Sequence, residues 1–388
     1  MAKRRTRLIH PDTRAPGGFE SLAVPTVRGS TVLFEKIGDV GPGRYPKDHY
    51  RYGLSGTPTT RELALRVGAL EGAAQTLIVP SGQAAIALTY LALCKGGDHV
   101  LLPASAYGPN HELANGPLAA LGIEAETYEP GIGGGIAAHL RPETRLVWCE
   151  SPGSITMEVQ DVTAIAAAAH AAGALVAVDN TYAAGILFDA FGAGADISIQ
   201  ALTKYVGGHS DLLLGSVSSK DAGIGKRLAS GQRLFGQAVS PDDCSLALRG
   251  LQTLEVRLKA IERSTLEVAR WLGERPEVTA LLHPAFPDCP GHDLWQRDFS
   301  GSASIFSAIF GKWTRAQVEI FIDALTLFGI GYSWGGVASL VLAYADLNRP
   351  TAELGPLLVR FNIGLEDPGD LIADLEQALE LATNQSSR

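Results

Sequence analysis

Between residues 57 and 250, short apolar runs alternate with alanine-rich stretches of helical spacing. The runs are HVLLP (99–103), RLVWCE (145–150), ALVAVD (174–179) and ISIQ (197–200), and the clearest helical stretch is 161–172. Near-continuous apolar strands separated by helices predict a central, mostly parallel sheet with helices on both faces. Ligands bind such sheets outside the carboxyl ends of the strands. That rule points to the loops after Val79, Pro103, Glu150, Val178 and Gln200.

The pattern changes on either side. Residues 241–273 read as one long helical stretch, with Leu246, Leu248, Leu251, Leu254 and Leu258 on a stripe. Beyond it, apolar runs at 304–310, 340–345 and 357–364 mix with helical segments at 314–326 and 367–383, as in a smaller α+β domain. Its last helix opens on Glu366, Asp367 and Asp370, as the helix dipole favours. The first 56 residues are rich in Pro, Gly, Arg and Tyr and carry little periodicity, which predicts an extended arm. The expected division is an arm over 1–56, a large domain over 57–250 and a small C-terminal domain over 251–388. The glycine cluster Gly131, Gly133, Gly134 and Gly135 lacks the dinucleotide fingerprint and reads as a surface loop.

Composition removes several classes. With 46% hydrophobic and 19% charged residues the chain is expected to fold compactly. Its 388 residues suggest two to three domains at about 150 residues each. Net charge is −9, so the basic footprint of a nucleic-acid binder is missing. Cys94, Cys149, Cys244 and Cys289 are scattered, with the spacing of neither a zinc site nor a disulfide framework. No metal and a cytoplasmic location are expected. Lys3, Arg4, Arg5 and Arg7 are not followed by the apolar run of a signal peptide. The longest uncharged run, 77–94, brushes the length of a membrane span, but Pro80 to Gln83 divide it into strand, turn and helix. No membrane contact is expected.

Four features at strand ends carry chemistry. Lys204 follows ISIQ among small and polar residues. It is either an ordinary loop lysine or a buried amine whose lowered pKa makes it nucleophilic. Asp179 ends a fully apolar strand, where a carboxylate is costly without a cationic partner; the plainer reading is a cap for the next turn. Ser81 and Gly82 enter a helix near Gln83, whose free amides are either simply capped or an anion site. Tyr107 follows HVLLP on the same edge, where it packs in the core or stacks on a flat ring. Lysine, carboxylate, phosphate cradle and aromatic together match the needs of pyridoxal phosphate.

Long strings then point to a family. ESPGSITMEVQD (150–161), VDNTYAAGILF (178–188), SIQALTKYVGGHSD (198–211), GHDLWQRDFSG (291–301), YSWGG (332–336) and RFNIGLEDPGDLI (360–372) lie within a match from about Tyr52 to about Leu375. The chain resembles the cystathionine β-lyase branch of the Cys/Met-metabolism pyridoxal-phosphate enzymes. The resemblance implies an α/β, aspartate-aminotransferase-like (fold type I) architecture whose large domain binds the cofactor. It implies Lys204 as the Schiff-base lysine and proton shuttle, with Tyr107 stacking on the ring and sharing the proton work. Asp179 would meet the ring nitrogen, while Gly82, Gln83 and Thr203 would hold the phosphate. Tyr52 would reach the phosphate of a neighbouring subunit in a homotetramer built from two dimers. Arg360 would clamp the substrate carboxylate, and Tyr332, Ser333 and Trp334 would line the substrate site.

The implied reaction is β-cleavage of cystathionine or a related cysteine S-conjugate. ESPGS (150–154) and Trp334 after Ser333 favour β over γ chemistry, since γ-acting relatives tend to read ESPTN and Leu there. A γ-elimination or γ-replacement enzyme is the sibling alternative, and a non-catalytic member of the fold is the distant one. The chain departs from the family pattern at Leu54, where an arm Arg is usual, at Ala338–Ser339–Leu340 in place of Glu-Ser-Leu, and at Arg233, where close relatives carry Tyr.

Overall fold

The computed structural model describes residues 22–40, 50–344 and 357–385. The basic cluster Lys3 to Arg7, much of the expected arm, and Ala345 at the end of the run 340–345 lie outside the described residues.

Seven strands build the larger sheet: β1 (Gln75–Val79), β2 (His99–Pro103), β3 (Glu124–Tyr128), β4 (Thr144–Glu150), β5 (Leu175–Asp179), β6 (Ile197–Gln200) and β7 (Gly215–Ser219). Their order is β1-β7-β6-β5-β4-β2-β3, and only β7 runs against its neighbours. The mostly parallel sheet expected from the apolar runs is therefore present. Helices α1 (Pro58–Glu71), α2 (Gly82–Leu93), α3 (Gly108–Leu113), α4 (Val162–Ala171) and α5 (Ala222–Leu234) connect or cover it.

Alternate residues of each strand feed opposite faces. Val100, Leu102, Leu146 and Trp148 join α2 and α5 in one buried cluster. Leu101, Val147 and Cys149 join α1 and α4 in another. Side-chain caps set the helix starts: Thr57 and Thr60 form a capping box ahead of α1, and Asp161 Oδ1 accepts from the Ala164 amide ahead of α4. The uncharged run 77–94 divides as expected, into β1, a turn capped by Ser81, and α2.

The single helix expected over 241–273 is instead two, α6 (Pro241–Leu251) and α7 (Leu254–Gly273). The Gly250 carbonyl accepts from the Thr253 hydroxyl and from Arg257 Nη2, which diverts the chain between them. Leu246 leaves the buried stripe, because it stands two residues before Leu248 and so about 200° around the helix. The glycine cluster is not an open loop: Pro130–His139 forms 3-10 turns broken at Gly133.

The smaller sheet comprises β8 (Ala280–Leu282), β9 (Ile305–Ile309), β10 (Gly329–Ile330), β11 (Leu340–Tyr344) and β12 (Leu358–Asn362), in the order β10-β11-β12-β9-β8. Helices α8 (His292–Asp298), α9 (Arg315–Ala324) and α10 (Pro368–Gln385) belong to this half. Phe306, Phe310, Phe321 and Phe361 form its core with α7, α9 and α10. Phe361 points into that core, so Arg360 points the other way, toward the larger sheet. Ser307, its register partner, reaches the same side and donates to the Ile155 carbonyl.

Candidate active site

One cavity of about 230 Å³ opens at the carboxyl edge of the larger sheet. Its wall includes Ser81, Gly82, Gln83, Tyr107, Glu150, Asp179, Thr181, Thr203, Lys204, Ser333 and Trp334. Residues far apart in the sequence are thus gathered at one edge of the sheet. Tyr52 and Tyr332 do not line it. Both are exposed, Tyr332 by 82%, and Tyr52 bridges Thr31 of the arm.

Lys204 lies in the turn after β6. Its Nζ donates to Ser333 Oγ at 2.6 Å and stands 5.0 Å from the Trp334 ring. Burial and the nearby Arg360 push the amine down to about 8, only partly opposed by Asp179. Ser333 has φ +91°, in the left-handed region that disfavours a side chain. That conformation turns its hydroxyl to Lys204 while its carbonyl accepts from Arg360 Nη2 at 3.4 Å.

Asp179 ends β5. The Thr181 amide and hydroxyl both donate to its Oδ1, at 3.0 and 2.5 Å. Thr181 Oγ1 in turn accepts from the Ala201 amide at 2.9 Å, linking the ends of β5 and β6. Burial raises the Asp179 pKa, while Thr181 and Lys204 pull it back. The carboxylate therefore keeps one oxygen for a cationic visitor.

Ser81 Oγ accepts from the Ala84 amide at 3.0 Å and caps α2. The amides of Gly82 and Gln83 are first-turn donors with no carbonyl four residues back. No side chain fits at Gly82, where a Cβ would stand 2.7 Å from Ala201 Cβ. Open backbone donors at a helix start make an anion cradle. Thr203 lines the cavity, but its hydroxyl donates to the Leu214 carbonyl and accepts from the Leu214 amide. Arg360 is buried behind the wall and donates to the Ser154 carbonyl at 3.1 Å.

Sequence reasoning did not single out Glu150 or Thr181 as site residues. The strand-end rule named the loop after Glu150, and DNT (179–181) held a clue, since a hydroxyl two residues after a buried carboxylate is placed to bond it. The donor set suits pyridoxal phosphate: an amine of lowered basicity, a carboxylate open on one side, and a cradle too tight for a side chain.

An α/β sheet of this order with a lysine in the turn after its sixth strand is the fold type I scaffold of pyridoxal-phosphate enzymes. The profile of the Cys/Met metabolism PLP-dependent enzymes matches residues 5–380, and the chain belongs to that family. It is 42% identical to the cystathionine beta-lyase of Bordetella avium over 382 residues, covering 96% of this chain and 95% of the relative. It is 43% identical to cystathionine beta-lyase MetC of Escherichia coli over 334 residues, 84% of each chain. Among solved structures it resembles the cystathionine gamma synthase of Xanthomonas oryzae, with a TM-score of 0.87 and 30% identity over 95% of both chains.

Proposed function

We propose that this chain cleaves the Cβ–S bond of L-cystathionine, with water as co-substrate, to give homocysteine, pyruvate and ammonia. The observation that carries the reading is Lys204, a buried amine of lowered pKa held against Ser333 in a cavity shared with Asp179. β rather than γ chemistry is supported by ESPGS at 150–154 and Trp334. It is supported equally by the 42–43% identity to the β-lyase relatives beside 30% to the γ-synthase.

Pyridoxal phosphate, when bound, supplies an electron sink for the negative charge left at the substrate Cα. The amides of Gly82 and Gln83 hold its phosphate, with Thr203 at the edge of that cradle. Tyr107 offers a face for its ring. Asp179 would hold the ring nitrogen protonated through the oxygen that Thr181 leaves open, since a cation there favours the ionised carboxylate. Arg360 binds the substrate carboxylate. Two of its five N–H donors are engaged with the carbonyls of Ser154 and Ser333, so a fork remains for bidentate contact. Lys204 Nζ takes the Cα proton and returns a proton to the departing sulfur, a step in which the Tyr107 hydroxyl shares. Ser333 Oγ fixes the starting position of that amine, and Trp334 bounds the substrate.

The arm reading extends the proposal to a homotetramer of two dimers in the cytoplasm. The described arm shows Leu33 and Ile37 exposed by 90% and 88%, a surface that suits a second copy of the chain. In that assembly the arm of residues 1–56 carries Tyr52 toward a neighbour's cofactor, while 57–250 and 251–388 act as cofactor domain and small domain. Among the described residues, no helix is long and apolar enough to cross a membrane.

Product analysis tests the reaction. Purified protein loaded with pyridoxal phosphate and given cystathionine should release pyruvate. Release chiefly of 2-oxobutyrate would reassign it to γ-cleavage.

A further inference from the structure

Glu150 ends β4, and its register partner at the end of β5 is Asp179. Two carboxylates thus stand side by side on the cavity wall, yet they are held differently. Asp179 has one oxygen fixed by Thr181. Glu150 is only 5% exposed, and both its oxygens accept from backbone amides. Oε2 takes the Tyr107 amide at 2.6 Å, and Oε1 takes the Ser154 amide at 3.3 Å. The first is the short bond of a charge-assisted contact.

These amides belong to two loops, one after β2 and one after β4. Ser154 is also the residue whose carbonyl holds Arg360. Tyr107 itself is 45% exposed, and no hydrogen bond holds its phenol among the described residues. The ring is therefore placed by its backbone, and that backbone is tied to Glu150.

We propose that Glu150 is a positioning residue: it fixes the Tyr107 backbone so that the ring presents its face to the cofactor, an inference that rests on the pyridoxal-phosphate reading of the cavity. A glutamine of the same size loses the charge. It also turns one end into an N–H donor facing another N–H donor, so one loop is released.

The test is a double-mutant cycle of Glu150→Gln and Tyr107→Ala, read as cofactor affinity of the apoprotein and as visible circular dichroism of the bound cofactor. Glu150→Gln should weaken cofactor binding about tenfold, as for one lost charge-assisted bond, and flatten the visible dichroism. In the Tyr107→Ala background it should add little, because no ring is left to misplace. Should the glutamine variant not fold, Glu150→Asp, which keeps the charge but withdraws it by one methylene, carries the same cycle. A Glu150 variant that matches wild type beside an impaired Tyr107→Ala, or losses that simply add, overturns the positioning role alone. A Tyr107→Ala protein with wild-type affinity and dichroism overturns the cofactor reading of this wall, and the inference with it.

Discussion

The carboxyl edge of the larger sheet and the N-terminal arm are built on opposite terms. At the sheet edge each functional group is fixed by its own chain: Lys204 by Ser333, Asp179 by Thr181, Glu150 by two loops, and Arg360 by two carbonyls. Between residues 25 and 28 the described arm is bonded to the body. The Val27 amide donates to Thr59 Oγ1, the Pro25 carbonyl accepts from the Thr59 hydroxyl, and an exposed pair joins Arg28 to Asp242. Val24 packs against the larger core, whereas Leu22, Leu33 and Ile37 face outward. The groups at the sheet edge are thus held in place within one chain, whereas the arm is proposed to complete a neighbour's site.

Four experiments press on that contrast. The largest effect is expected at Lys204: Lys204→Ala should lose at least about 10³-fold in turnover, together with the visible band of the bound cofactor. Repeated turnover by this variant would show that the sheet edge does not depend on its lysine. The second uses the lowered pKa. Only the neutral amine attacks an aldehyde, so cofactor uptake by the apoprotein should accelerate as pH rises through about 8. Between pH 6 and 9 the neutral fraction grows about ninetyfold, whereas an ordinary lysine, near 10.4, would still be accelerating above that range.

Arg360→Lys comes next. It removes the fork but keeps the charge, and should raise the KM for cystathionine about thirtyfold with a smaller change in kcat. The smallest effect belongs to the arm. Leu54→Arg places a cation where the family pattern has one, and should tighten cofactor binding no more than about fivefold, in the oligomer only. Equal tightening in a dissociated chain would erase the distinction between the two regions.

Much of the sheet edge was legible because its signals are local. Apolar strands end at Asp179 and just before Lys204, and the strand-end rule places both at one cavity. The helix start at Ser81–Gly82 was legible for the same reason. What depends on distant loops was not. Glu150 meets Tyr107 across 43 residues, and Lys204 meets Ser333 across 129. Nor does the sequence announce that Ser333 adopts φ +91°. Strand β7, GSVSS, was missed because its buried serines carry no apolar pattern; Ser218 is satisfied by the hydroxyl of Thr76 on β1 instead. The break between α6 and α7 was missed because side chains of Thr253 and Arg257 make it, in a stretch whose leucine spacing suggests continuity.

Lys204 is the amine proposed to hold the cofactor. Borohydride reduction of the loaded protein fixes pyridoxal phosphate to the amine that carries it, and peptide mass mapping then locates that amine. The added mass is expected on the peptide containing Lys204 and on no other lysine. Full labelling of a different lysine, with Lys204 unmodified, would contradict it.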